Sequence, residues 1–271
     1  SHCCRLSLKR GGVSMDWAQY YADLTAAARA GERLALLPDL FRQFYQAFIE
    51  GERWKLYLKG LGSTYQLTVI ALLIGVALGV VVAVIRTAHD QQRPGHHNLL
   101  LGIVDRLCRA YITIIRGTPM MVQLLIWSGV VFASSRNHTM VGAFGIGINS
   151  GAYVAEIVRG GLMSVDMGQT EAGRSLGLNY LDTMRLVVIP QAFKNIVPSL
   201  ANEFITLFKD TSLVTAIGGS EMLYYAKAIG TKTYSVMFPL LGAACIYLVN
   251  VTLLTWLQGK LERRLRQSDR R

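Results

Sequence analysis

Most of this chain alternates between long apolar runs and short polar stretches. The first run covers roughly residues 65–85, and four more follow near 110–133, 141–160, 187–208 and 235–257. About 20 predominantly apolar residues are enough for a helix to cross hydrocarbon. A bilayer interior offers no water to backbone amides and carbonyls, so each run is predicted to be helical. The pattern predicts an all-α integral membrane fold with about five transmembrane helices over residues 65–258. Residues 15–64 read differently. Trp17, Tyr20, Tyr21 and Leu24, and again Leu40, Phe41, Phe44, Tyr45 and Phe48, fall at helical spacing among balanced charges. That segment is amphipathic. A helix lying in the membrane interface and a helix packed on its own chain fit it equally. Residues 1–14 resemble nothing that follows, and Met15 is a natural start, so they are expected to be a non-native or upstream extension.

The runs are not uniformly apolar. Gly75 and Gly79 form a small-x-x-x-small pair, a surface for close helix contact. Arg116-Gly117-Thr118-Pro119 interrupts the second run, where proline removes a backbone donor and glycine loosens the turn. Such a break is tolerated where it lines a cavity or is buried in protein. In the third run Asn149, Tyr153, Glu156 and Gly160 share a face, and Glu156 and Arg159 are spaced to pair. The fourth carries a polar stripe of Asn195, Ser199, Asn202 and Thr206 with Glu203 beside it. Residues 220–234 read as a partly amphipathic outer helix holding Glu221, Lys227 and Lys232. Ionisable residues inside a span are by default functional candidates.

Composition supports the membrane reading: 52% of the 271 residues are hydrophobic and only 17% charged. The formal net charge of +11 would suggest nucleic acid in a soluble protein. Here the positive charges flank apolar runs, so the positive-inside rule accounts for them and no nucleic-acid partner is expected. Arg86, Arg93, Arg106 and Arg109 outweigh Asp90 and Asp105, and a basic tail at 259–271 carries Lys260, Arg263, Arg264, Arg266, Arg270 and Arg271. Both regions are expected in the cytoplasm, which with five spans leaves the N-terminus outside. The four cysteines form no Cys-x-x-Cys pair, and His89, His96 and His97 have no partner at ligand spacing, so no metal site is expected. No phosphate-binding Gly-x-x-x-x-Gly-Lys-Ser/Thr loop occurs. No nucleophile–base pair occurs either, so no cofactor and no enzymatic activity is expected of this chain.

Between the third and fourth runs lies a polar segment, residues 164–186, with dense helix punctuation. Asp166 and Gln169 are spaced as a capping box, and Gly177 is placed to close the helix in the left-handed conformation. Asn179 and Asp182 open a second helix that runs into Pro190. Glu171, Ala172, Gly173, Gly177, Val187, Ile189 and Pro190 resemble the cytoplasmic signature of permease subunits of ATP-binding cassette importers: Glu-Ala-Ala, three residues, Gly, nine residues, Ile, any residue, Leu-Pro. Gly173 departs from the Ala of that pattern, at about 1 kcal/mol of helix propensity. RGTPMMVQ, INSGAYVAEIVRGG and FKDTSLVTAIGG are similar to segments of the polar amino-acid permeases of that class, of the glutamine, histidine or arginine type.

The resemblance implies a type I importer permease fold in a bacterial inner membrane. It implies a coupling helix within 166–177 that docks into an ATPase dimer, which would bind ATP–Mg. It implies a second permease subunit, identical or related, and an external or periplasmic amino-acid-binding protein. A polar amino acid crossing the bilayer needs partners for both its charges. Arg116, Asn149, Tyr153, Glu156, Asn202 and Thr206 are the candidates along its path. A stand-alone channel or secondary transporter would use the same intramembrane residues but would not need a capped cytoplasmic helix.

Overall fold

The computed structural model describes residues 37–90, 92 and 98–267. The readings of residues 1–14, of the Trp17–Leu24 face and of His96 and His97 lie outside these. Helix α1 (Leu37–Phe48) is joined by one tight turn, Glu50–Glu52, to the long α2 (Trp54–Asp90). Helix α3 (Leu99–Gly117) and α4 (Met120–Ile126) follow, α4 running on as a wide turn over Trp127–Val131. Next come α5 (His138–Met163), α6 (Met167–Ser175) and α7 (Tyr180–Thr183), the last continuing through Met184–Val188 into α8 (Ile189–Asp210). A 3-10 segment, Thr211–Ile217, leads to α9 (Met222–Thr233) and α10 (Met237–Gln267).

The first span starts earlier than the apolar run suggests. Residues 54–64 are not part of a separate amphipathic segment but the first turns of α2. Tyr57, Gly60 and Thr64 continue its buried face. A Cβ on Gly60 would lie 2.9 Å from the Cα of Met222, so only glycine lets α2 and α9 approach this closely. The α1 segment packs beside them, with Phe48 stacked on Tyr57 at 5.4 Å.

Helices α2, α5 and α10 are long and apolar enough to cross a membrane, and α3 with α4 forms a fourth such unit bent by 108°. The fifth predicted span, α8, has 22 residues, enough for the thickness, but Lys194, Asn195, Asn202 and Glu203 keep it from being an apolar helix. The core is the α2–α5 contact. Cβ atoms on Gly75 and Gly79 would fall 2.7 Å from Ser150 Oγ and 2.6 Å from Val154 Cβ, so the small pair of α2 is where α5 lies. Ala71, Leu124, Ile146, Leu207 and Val214 fill the space between α2, α4, α5 and α8.

The helix expected over residues 220–234 is α9, and Glu221 stands at its start as a fully buried N-cap. Its carboxylate accepts from Tyr224 N at 2.9 Å, from Tyr247 Oη at 2.6 Å and from Thr215 Oγ1. It thereby ties α9 to α10 and to the 3-10 segment. Glu221→Ala leaves these donors without an acceptor, at roughly 1–3 kcal/mol each, and is expected to cost at least about 3 kcal/mol. Thermal unfolding in detergent should show the loss, and a far smaller one for Glu221→Gln, which keeps an acceptor oxygen.

Candidate functional site

Two sets of residues emerge, one at an end of the bundle and one within it. The end set is α6 and its flanks. The Asp166 side chain accepts from Gly168 N at 2.6 Å and starts the helix. The reciprocal half of the expected capping box is absent, because the Gln169 amide oxygen accepts from Gln191 of α8 at 3.2 Å instead. Gly177 adopts φ +84°, and the bonds Gly177 N to Arg174 O (3.0 Å) and Leu178 N to Gly173 O (3.1 Å) close the helix as a Schellman motif. Asn179 caps α7 by accepting from Asp182 N at 2.9 Å. Pro190 sits in the first turn of α8, where its missing N–H costs little, and the wide turn Met184–Val188 absorbs the change of direction ahead of it.

Gly173 has a role that its departure from the Ala pattern hides. It is the buried residue of α6, and a Cβ there would lie 3.0 Å from the Thr183 methyl. Thr183 is itself fully buried and held by its hydroxyl to Asn179 O at 2.9 Å, so it cannot swing away freely. Gly173→Ala gains about 1 kcal/mol of helix propensity but forces this contact. We expect faster amide exchange across 167–183 in Gly173→Ala and recovery in Gly173→Ala/Thr183→Ser. Slower exchange in the single variant would refute the close-approach reading.

This short helix is tied to α8 by the Gln191–Gln169 bond, and the connection ahead of it is tied to both α5 and α8 through Ser164. Asn195 of α8 donates to Ser164 Oγ at 2.8 Å, and that hydroxyl donates to Gly161 O of α5 at 2.7 Å. Glu171 and Ala172 are exposed. So are Met167 (78%), Leu176 (82%), Tyr180 and Leu181 (74%), large apolar groups on a segment too polar to lie in hydrocarbon.

The inner set begins at the 108° break. Gln123 fastens it: its amide donates to Ile115 O (2.7 Å), Thr118 O (3.1 Å) and Thr118 Oγ1 (2.7 Å). Its amide oxygen accepts from Asn149 of α5 at 3.0 Å. The carbonyls exposed by Pro119 are thus satisfied by a side chain within the RGTPMMVQ motif. Arg116 pairs with Glu156 and lies over the Tyr153 ring at 4.9 Å. This corrects the expected pair within α5. Because α3 lies alongside α5, Glu156 meets Arg116, while Arg159 turns to Asp90 of α2 at 2.8 Å. Arg116, Tyr153 and Glu156 therefore form one cluster, and Asn149 another with Gln123. Asn202 and Thr206 remain on the exposed stripe of α8, joined only by Thr206 Oγ1 to Asn202 O at 3.2 Å.

Sequence reasoning passed over Ser150 and placed Glu203 only beside the stripe. Glu203 is buried and accepts from Ser150 Oγ at 2.7 Å across the α5–α8 contact. Its signal was available, since an ionisable residue in the middle of a span needs a partner on a neighbouring helix.

The model of binding-protein-dependent transport system inner membrane components matches residues 95–267, well over half of the chain. The chain belongs to this family. The permease is 35% identical over 215 residues to the arginine transport system permease protein ArtQ of Bacillus subtilis (strain 168), covering 78% of this chain and 93% of that one. It is 33% identical over 214 residues to a putative glutamine transport system permease protein, GlnP, of Rickettsia bellii (strain RML369-C), covering 77% and 92%. Among solved structures, a chain of an amino acid ABC transporter crystallised with histidines superposes with a TM-score of 0.69 at 37% identity, over 78% of this chain and 94% of that one. A chain of the MetNI methionine ABC transporter, in inward-facing form, shares the fold at 20% identity and a TM-score of 0.67, over 80% and 99%. The all-α membrane permease fold expected from the apolar runs and the signature segment is the fold of these relatives.

Proposed function

We propose that this permease is the membrane subunit of an ATP-driven importer of a polar amino acid, and that α6 is the element through which a separate ATPase drives it. The observation that carries the reading is the α6 segment itself. It is capped at both ends, bonded to α8 through Gln169 and Gln191, preceded by a connection in which Ser164 joins α5 to α8, and it presents Met167, Leu176 and Leu181 to a partner. A helix held this way transmits a push on its outer face to two bundle helices without fraying. Glu171, Ala172, Gly173, Gly177 and Pro190 shape this element. The ATPase dimer binds ATP–Mg. A second permease subunit, identical or related, completes the path, and an external binding protein delivers the solute.

The N-terminus lies outside, and the signature end and the basic end of α10 lie in the cytoplasm. Relatives named for arginine and glutamine support a polar amino acid as solute. Arg116, Asn149, Tyr153, Glu156, Asn202 and Thr206 line the candidate path, and the buried Glu203 joins them. Arg116 and Glu156 already satisfy one another, so a zwitterion entering there would exchange with an existing ion pair rather than meet bare charges.

A reconstituted vesicle experiment tests this. Uptake of a labelled polar amino acid should require the permease, the ATPase, the binding protein and ATP together. Uptake without the ATPase would establish a channel or secondary transporter instead. Orientation is tested separately with Leu176→Cys: a membrane-impermeant maleimide should label it in inverted vesicles, and labelling in intact cells would reverse the topology.

A further inference from the structure

We propose that the cleft between α8 and α10 near the signature end is a binding site for an acidic phospholipid, with acyl chain in the cleft and headgroup phosphate on Lys260 and Arg264. The cleft has a volume of about 210 Å³ and is walled by Ala201, Phe204, Ile205, Leu254, Leu257 and Leu261. Its one polar wall residue, Gln258, donates its amide to Pro198 O at 3.3 Å, which turns that polarity inward and leaves hydrocarbon facing the opening.

Depth identifies the occupant. From Met237 to Leu257 α10 carries no Asp, Glu, Lys or Arg. At 1.5 Å per residue those positions span about 31 Å, the thickness of the hydrocarbon layer. Leu257 therefore lies at the boundary of the apolar layer, and Arg264, seven residues on, lies about 10 Å further, among headgroups. Trp256 marks the same level: it is 54% exposed, and the Lys260 ammonium sits 3.6 Å from its ring centroid. The azimuth agrees. Lys260 is three residues from Leu257, and Arg264 is three from Leu261 and seven from Leu257, so both cations stand on the side where the cleft opens. Among the described residues no ion pair joins Arg264 to a carboxylate, whereas Glu262 beside it is already engaged. A cleft at this depth is reached by lipid chains, and an arginine and a lysine at its polar end select a phosphate that carries net negative charge.

The test uses the full chain, delipidated in mild detergent, with dioleoylphosphatidylglycerol or dioleoylphosphatidylcholine added and retained lipid counted by native mass spectrometry. The unaltered chain should retain the acidic lipid preferentially. R264Q should weaken that retention about fivefold and K260Q/R264Q about thirtyfold, at roughly fivefold per cation near a membrane surface. R185Q, an equal loss of charge on the exposed stretch ahead of α8, should leave it within about twofold. A201W, which fills the cleft, should reduce retention of both lipids, and the charge variants carry the test if it misfolds. Equal losses in R185Q and R264Q would reduce the effect to diffuse attraction and overturn the site. Unchanged retention in K260Q/R264Q, together with weaker capture of the ATPase, would overturn it in favour of an acidic protein surface as the cations' partner.

Discussion

We expect Gly177→Val to abolish solute uptake while the bundle still folds and the proposed partner ATPase still turns over. Gly177 holds φ +84°, a region where a β-branched side chain collides with its own backbone. No side chain lies within 4 Å of the position its Cβ would take, so the penalty is conformational and local. It falls on the two closing bonds to Gly173 O and Arg174 O, and without them the end of α6 frays just beside Leu176. The left-handed conformation costs an L-residue roughly 1–2 kcal/mol, and more for valine, which exceeds what one turn of a nine-residue helix retains. Asparagine visits that conformation readily, so Gly177→Asn should keep most of the uptake. Uptake and ATP hydrolysis measured in the same vesicles separate the outcomes. If Gly177→Val transports as the unaltered chain does, α6 is not what carries the drive.

Gly79→Leu has the larger effect on the fold itself. The first added carbon would already sit 2.6 Å from Val154 Cβ and 2.8 Å from the amide nitrogen of Ala155. Backbone cannot yield as a side-chain tip does, so α2 and α5 must separate along their length. Overpacking of this kind costs typically about 1–3 kcal/mol and more where rigid elements meet. Here it also opens Ala83, Val154 and Val158, which pack together in the neighbouring layer. Gly79→Leu should give aggregated protein on size-exclusion in mild detergent, and Gly79→Ala a folded but less heat-stable one. A monodisperse Gly79→Leu protein of unchanged melting temperature would show that the helices are not locked at this point.

The hydrophobic pattern located the membrane helices because hydrocarbon imposes the same demand on every residue of a span. It missed the beginning of α2 because only one stripe of residues 54–64 is buried, and that stripe faces protein rather than lipid. Tyr57, Gly60 and Thr64 are a protein-facing stripe, which reads as an amphipathic surface helix. Caps were legible where the sequence holds both partners: Asp166, Gly177 and Asn179 each do locally what their residue types favour. Choices made across helices were not legible. Glu156 had Arg159 at the right spacing and Arg116 forty residues away, and only the placement of α3 beside α5 decides for Arg116. Glu221 and Glu203 look alike in sequence to the charges on polar faces, and their burial depends on Tyr247, Thr215 and Ser150 arriving from other segments.

The way Gln123 laces Pro119's neighbours together has a consequence for motion. The two N–H groups of its amide reach three acceptors, on α3 and at the break, and its oxygen, accepting from Asn149, fixes the elbow to α5. An angle braced on both arms behaves as a bracket. When the bundle changes shape during a cycle, the bracket travels whole, and the bending is left to joints that lie outside it.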